Sequence, residues 1–76
     1  MAFKRIETNP KILGGKPVVK GTRIPVYLIV ELIAQGYTPQ KITEAYPQVK
    51  KGDIKECLEY AAYLAKYEEK ELLKAV

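Results

Sequence analysis

Gly36-Tyr37-Thr38-Pro39-Gln40-Lys41-Ile42-Thr43-Glu44-Ala45-Tyr46-Pro47-Gln48-Val49-Lys50-Lys51-Gly52-Asp53-Ile54 contains two successive helix starts of the same design. Gly36 stops whatever helix precedes it, because glycine takes the left-handed conformation that closes a helix. Thr38 is a good N-cap, Pro39 suits the first helical position, and Tyr37 can staple onto Ile42. The residue before a proline avoids the helical region, so Tyr46-Pro47 ends this helix and predicts a span of Pro39–Ala45. The second start sets Val49 against Ile54 around an N-cap at Lys50. Lysine has no acceptor to cap with, and Asp53 at the third helical position offsets part of that loss through the helix dipole.

Working outward, Val26, Ile29, Val30, Ile33 and Ala34 repeat at helical spacing behind Ile24-Pro25 and predict a first helix over Pro25–Gln35. Ile24 cannot cap it, which leaves that end to Thr22 or another loop group. From Lys51 the stripe Ile54, Leu58, Ala61, Ala62, Ala65 predicts a long third helix reaching about residue 73. Upstream, Phe3–Glu7 and Pro17–Lys20 read as short strands that pair, separated by turns at Asn9-Pro10 and Gly14-Gly15-Lys16-Pro17. Two strands alone are marginal, so this piece must lie on the helices or on a second copy. The expected architecture is one mainly α domain over residues 1–76. It comprises a β/turn arm over 1–24 and a tri-helical helix-turn-helix unit over 25–76 whose last helix is extended.

Composition narrows the chemistry. With 47% apolar and 29% charged residues the chain has the balance of a soluble globular domain. There is no histidine and one cysteine, Cys57. That removes the commonest general base, the usual zinc sites and any intramolecular disulfide. An enzyme, a metal and a cofactor are therefore not expected. No apolar run approaches the roughly 18–20 residues of a membrane span and no signal-peptide pattern opens the chain, so the expected compartment is the cytoplasm. The net charge of +4 is unevenly placed: residues 1–25 carry six basic side chains against Glu7 alone, whereas residues 26–76 are close to neutral. Such a field suits phosphates or an acidic partner.

Several motifs have bland readings that outweigh sharper ones. Gly15 and Gly21 are one residue too far apart for a phosphate-binding P-loop, and Thr22 stands where lysine is required. Arg23, between a glycine turn and a helix start, reads as an anchor tying the arm to a helix carboxylate, though its planar fork would also suit a phosphate. Tyr60, Tyr63 and Tyr67 form a stripe that packs on helix one or a dimer seam, since the glutamates around it would repel phosphates. Cys57 reads as a buried, inert thiol. Asp53, Glu56 and Glu59 read as a solvated face beside Lys51 and Lys55, not as a metal site.

Asn9-Pro10, Gly14-Gly15-Lys16-Pro17-Val18-Val19, Gly21-Thr22-Arg23-Ile24-Pro25-Val26, Gly36-Tyr37-Thr38, Tyr46-Pro47, and Ile54 with Leu58-Glu59-Tyr60-Ala61 together resemble one family. It is the small bacterial and archaeal family catalogued as domain of unknown function 433, and the likeness runs from about residue 5 to residue 65. The resemblance implies a homeodomain-like helix-turn-helix and, as in many such proteins, an antitoxin encoded beside a PIN-like ribonuclease toxin. Relatives usually open the third helix with threonine or serine followed by acidic residues or glutamine. Lys50-Lys51-Gly52-Asp53 departs from that pattern and adds positive charge where DNA would lie.

The leading expectation is a dimeric DNA-binding antitoxin and autoregulator. Gln48, Lys50, Lys51 and Lys55 would face the major groove of an operator, with Gln40 and Lys41 on its backbone. The alternative is a protein-interaction module without its own DNA binding, whose Lys4, Lys11, Lys16 and Arg23 grip an acidic toxin surface. The small core and the apolar residues Tyr63, Leu64, Tyr67 and Leu72 on the third helix predict a homodimer seam.

Overall fold

The computed structural model describes residues 3–74, with side-chain environments for residues 3–68. Two short strands, β1 (Ile6–Glu7) and β2 (Val18–Val19), flank a single 3-10 turn at Leu13–Gly15. Three helices follow, α1 (Val26–Ala34), α2 (Pro39–Ala45) and α3 (Lys51–Lys74). The fold is thus mainly helical with a two-stranded N-terminal β element, as the sequence implied.

The strands pair antiparallel, with Ile6 opposite Val19 and Glu7 opposite Val18. A two-residue ladder is too short to stand alone. The approach to α1 reinforces it: the Val19 N–H donates to the Ile24 carbonyl at 2.9 Å and the Val26 N–H to the Pro17 carbonyl at 3.0 Å. Thr22 Oγ1 accepts from the Ile24 N–H at 3.0 Å and donates to the Val19 carbonyl at 2.7 Å. Thr22 therefore shapes the loop before α1, while the helix itself begins one residue later than expected, with Pro25 as its N-cap and no side-chain cap bond.

Both turns in the deciding segment close as their residues dictate. Gly36 sits at φ +97°. Its N–H donates to Ile33 and the Tyr37 N–H to Leu32, each at 3.0 Å. This pair satisfies carbonyls that the end of α1 would otherwise leave open. Thr38 Oγ1 caps α2 by accepting from the Lys41 N–H at 3.2 Å. The acceptor that Lys50 lacks comes from Asp53, whose Oδ2 takes the Lys50 N–H at 2.8 Å. The carboxylate thus does more than favour the dipole; it supplies the return half of a capping box.

The core is small: Val19, Ile24, Val26, Ile29, Ile42, Val49, Ile54 and Cys57 form one buried cluster. α3 packs against α1, α2 and β1. Its inward face differs from the expected stripe. Ile54 and Cys57 are buried and Ala61 half-buried, whereas Leu58, Ala62 and Ala65 are exposed. Steps of three and four residues from Ile54 fit a helix in either order, and the tie between Asp53 and Arg5 of the arm favours the face carrying Cys57. The Cys57 thiol is pushed up to about 12, first by burial and then by the nearby Asp53 and Glu56 charges. It is fully protonated at neutral pH and is no nucleophile.

Candidate nucleic-acid interface

The N-terminal end of α3 is organised by a residue 48 positions away in the chain. The Lys20 N–H donates to the Arg5 carbonyl at 2.8 Å, continuing the strand pairing and fixing where Arg5 leaves the arm. The Arg5 guanidinium then crosses Gly52, where a Cβ would stand only 2.8 Å from Arg5 Cζ. Arg5 Nη1 reaches Asp53 Oδ1 at 3.1 Å and Arg5 Nε lies 3.8 Å from Glu56 Oε2. The Arg5 backbone N–H donates to the same Glu56 oxygen at 3.1 Å. Asp53 therefore holds both the arm and the start of its own helix.

Two expectations are corrected here. Asp53 and Glu56 are not a solvated face, since Asp53 is buried and Glu56 half-buried against Arg5; Glu59 alone of the three is exposed. The arm's anchor is Arg5, not Arg23. Arg23 is exposed and makes no hydrogen bond or ion pair among the described residues. The strand pairing delivers Arg5, not Arg23, across Gly52 to the carboxylates of α3. Arg23→Ala should accordingly shift stability by less than about 0.5 kcal/mol. Arg5→Ala should lower it by about 1 kcal/mol, a modest figure because its side chain is half exposed. Thermal melts of the two variants check this.

All six residues expected at the DNA surface, Gln40, Lys41, Gln48, Lys50, Lys51 and Lys55, are exposed. Gln40 and Lys41 stand in the first turn of α2, Gln48 and Lys50 in the connection, and Lys51 and Lys55 one turn apart on α3. At about 100° per residue, Lys51 and Lys55 point away from the face that buries Asp53 and Cys57. Arg5 offsets Asp53 and Glu56, while the exposed Glu59 lies one turn beyond Lys55. The positive character is therefore confined to the first turn of the helix around Lys50 and Lys51.

The other predicted groups separate. Lys4, Lys11, Lys16 and Arg23 are exposed along the arm, and Lys16 Nζ lies 5.3 Å from the Tyr27 ring centroid. Tyr63, Leu64 and Tyr67 are 43%, 42% and 57% exposed, while Leu72 lies outside the residues whose side chains are described. The tyrosine stripe does not pack as a unit on α1. Phe3 from the arm meets Tyr60 edge-on at 5.0 Å and Tyr63 at 5.8 Å. The described residues include no cluster of three His, Cys, Asp or Glu side chains that could hold a metal, and no helix long and apolar enough to cross a membrane.

Sequence reasoning missed Arg5 and Gly52. The available signal was Gly52 itself: glycine is a poor helix former, and one inside an otherwise helical pattern points to a packing reason for its presence.

Comparison with known proteins is consistent with this frame. The family model described as "Protein of unknown function (DUF433)" matches residues 6–61. The uncharacterized protein y4eO of Sinorhizobium fredii (strain NBRC 101917 / NGR234) is 39% identical over 56 residues, which is 74% of this chain and 25% of that protein. The chain thus spans a quarter of the length of that curated relative. The crystal structure of a DUF433 member protein from Anabaena variabilis ATCC 29413 superposes with a TM-score of 0.75 at 25% identity, covering 91% of this chain and 68% of that one.

Proposed function

The chain belongs to the DUF433 family, and from that premise we propose that α2, its connection and α3 act as a homeodomain-like helix-turn-helix on DNA. The observation that supports this most is the N-terminal end of α3. Lys50, Lys51 and Lys55 are exposed there, and of the acidic groups beside them Asp53 and Glu56 are engaged by Arg5 while Glu59 stays exposed. A helix presented end-first with basic side chains outward is the geometry that enters a major groove. Gln48 would read base edges, and Gln40 and Lys41 would hold the backbone. On this reading the domain acts by binding DNA.

The role that suits such a domain is antitoxin and autoregulator beside a PIN-like ribonuclease, with the operator in the DNA upstream of its own gene. Fluorescence anisotropy with that duplex at about 50 mM salt tests the DNA step, because phosphate-dominated binding is strongest at low salt. Binding that exceeds that to a scrambled duplex supports the proposal, and no binding with or without a partner protein refutes it. The second reading, an interaction module, draws on the exposed Lys4, Lys11, Lys16 and Arg23 of the arm. It predicts that charge removal at these four positions abolishes capture of the acidic partner and that the chain binds no DNA by itself.

A further inference from the structure

An open groove of about 490 Å³ runs between α1 and α3 on the side of the molecule that the DNA proposal does not use. Tyr27 and Val30 form one wall, Tyr60 and Leu64 the other, and Lys16 and Glu31 contribute charge. We propose that this groove is filled by a second copy of the chain across a two-fold axis, with α3 packing along α3 of its partner.

The charges at the groove favour a second copy. Glu31 is exposed and has no ion-pair partner among the described residues. The Lys16 ammonium rests over the Tyr27 ring and forms no ion pair among the described residues, although Glu31 lines the same groove. A two-fold contact is self-complementary, so a pairing that sets Lys16 of one copy against Glu31 of the other also sets Glu31 against Lys16 and satisfies both charges twice. An unrelated partner would need the opposite arrangement of charge built for this purpose.

The apolar surface favours it as well. Tyr60, Leu64 and Tyr67 follow at spacings of four and three, so the α3 wall of the groove continues as an apolar stripe about 4.5 Å past Leu64 along the helix. Tyr27, Leu64 and Tyr67 each expose about half of their surface. These three offer on the order of 300 Å², under half of the roughly 800 Å² per partner that a stable dimer buries. The groove walls must supply the rest, and an antiparallel pairing of α3 along the groove buries them together with Tyr67. The seam therefore differs from one through Tyr63, which turns toward Phe3.

Sedimentation equilibrium of the full chain, without DNA, across roughly 1–100 µM tests this. The expected species has twice the 8.6 kDa of the single chain. Lys16→Glu and Glu31→Lys should each weaken the dimer at least about tenfold, since each puts like charges together. The double variant should restore it to within about threefold of the original. Both positions are exposed, and they line the same groove. The deciding sample is therefore an equimolar mixture of the two single variants. It should also restore the dimer, a rescue that only pairing between copies predicts. A monomer throughout, a dimer indifferent to the single changes, or a double variant or mixture that stays weak overturns the proposal. Because no DNA is present, the result stands apart from the DNA reading.

Discussion

Raising salt from about 50 to about 200 mM should weaken DNA binding on the order of a thousandfold. The magnitude follows from counting. Lys50, Lys51 and Lys55 in each of two half-sites neutralise roughly six phosphates, and counterion release then gives a slope of log K against log salt of about −5. Each Lys→Gln substitution should flatten the slope by roughly one unit for every phosphate it leaves unneutralised, hence by roughly two in a dimer. Stability should barely change, because all three side chains are exposed. Substituting Lys11 should leave the slope alone, since it is held within the arm, its backbone N–H donating to Asn9 Oδ1. Anisotropy titrations across this salt range read all of this; a slope near zero, or one that moves with Lys11, contradicts the assignment.

The largest stability effect is expected at Asp53. Its Oδ2 takes the Lys50 N–H at 2.8 Å and its Oδ1 takes Arg5 Nη1 at 3.1 Å, in a residue only 8% exposed. Asp53→Ala removes both charged hydrogen bonds and leaves the Lys50 N–H without a side-chain acceptor. A loss of about 3 kcal/mol is expected, with part of the Arg5 bond discounted for solvent exposure. In a domain of this size that corresponds to a fall in Tm of roughly 12–24 °C. Asp53→Asn keeps an acceptor for the Lys50 N–H and loses only the ion pair, so it should cost about 1 kcal/mol. Equal losses from the two substitutions would show that capping contributes nothing.

Local chemistry was legible in the sequence and distant pairing was not. Thr38-Pro39 and Tyr46-Pro47 delimit α2 through caps and backbone restrictions that involve neighbours only, and the observed span is the predicted one. The start of α3 at Lys51 was likewise placed by Val49 and Ile54, both of which end in the core. The arm lay beyond such reasoning. Nothing in the local pattern distinguishes Arg5 from Arg23 as the partner of a carboxylate on α3, because the choice depends on which residue β1 delivers across Gly52. The inward face of α3 was ambiguous for a related reason: Leu58 and Cys57 both fit the helical period, and the tie from Arg5 to Asp53 and Glu56 bears on which one turns inward. The groove between α1 and α3 draws on three separate segments, none of which carries a recognisable signature alone.

The central claim is that DNA meets this protein at the N-terminal end of α3, and backbone amide NMR during a titration with the upstream duplex tests it most directly. Perturbations should concentrate at Gln40, Lys41 and residues 48–55, with the groove residues Tyr27 and Val30 unmoved. Binding that perturbs the arm or the groove while leaving residues 48–55 unchanged would contradict the account.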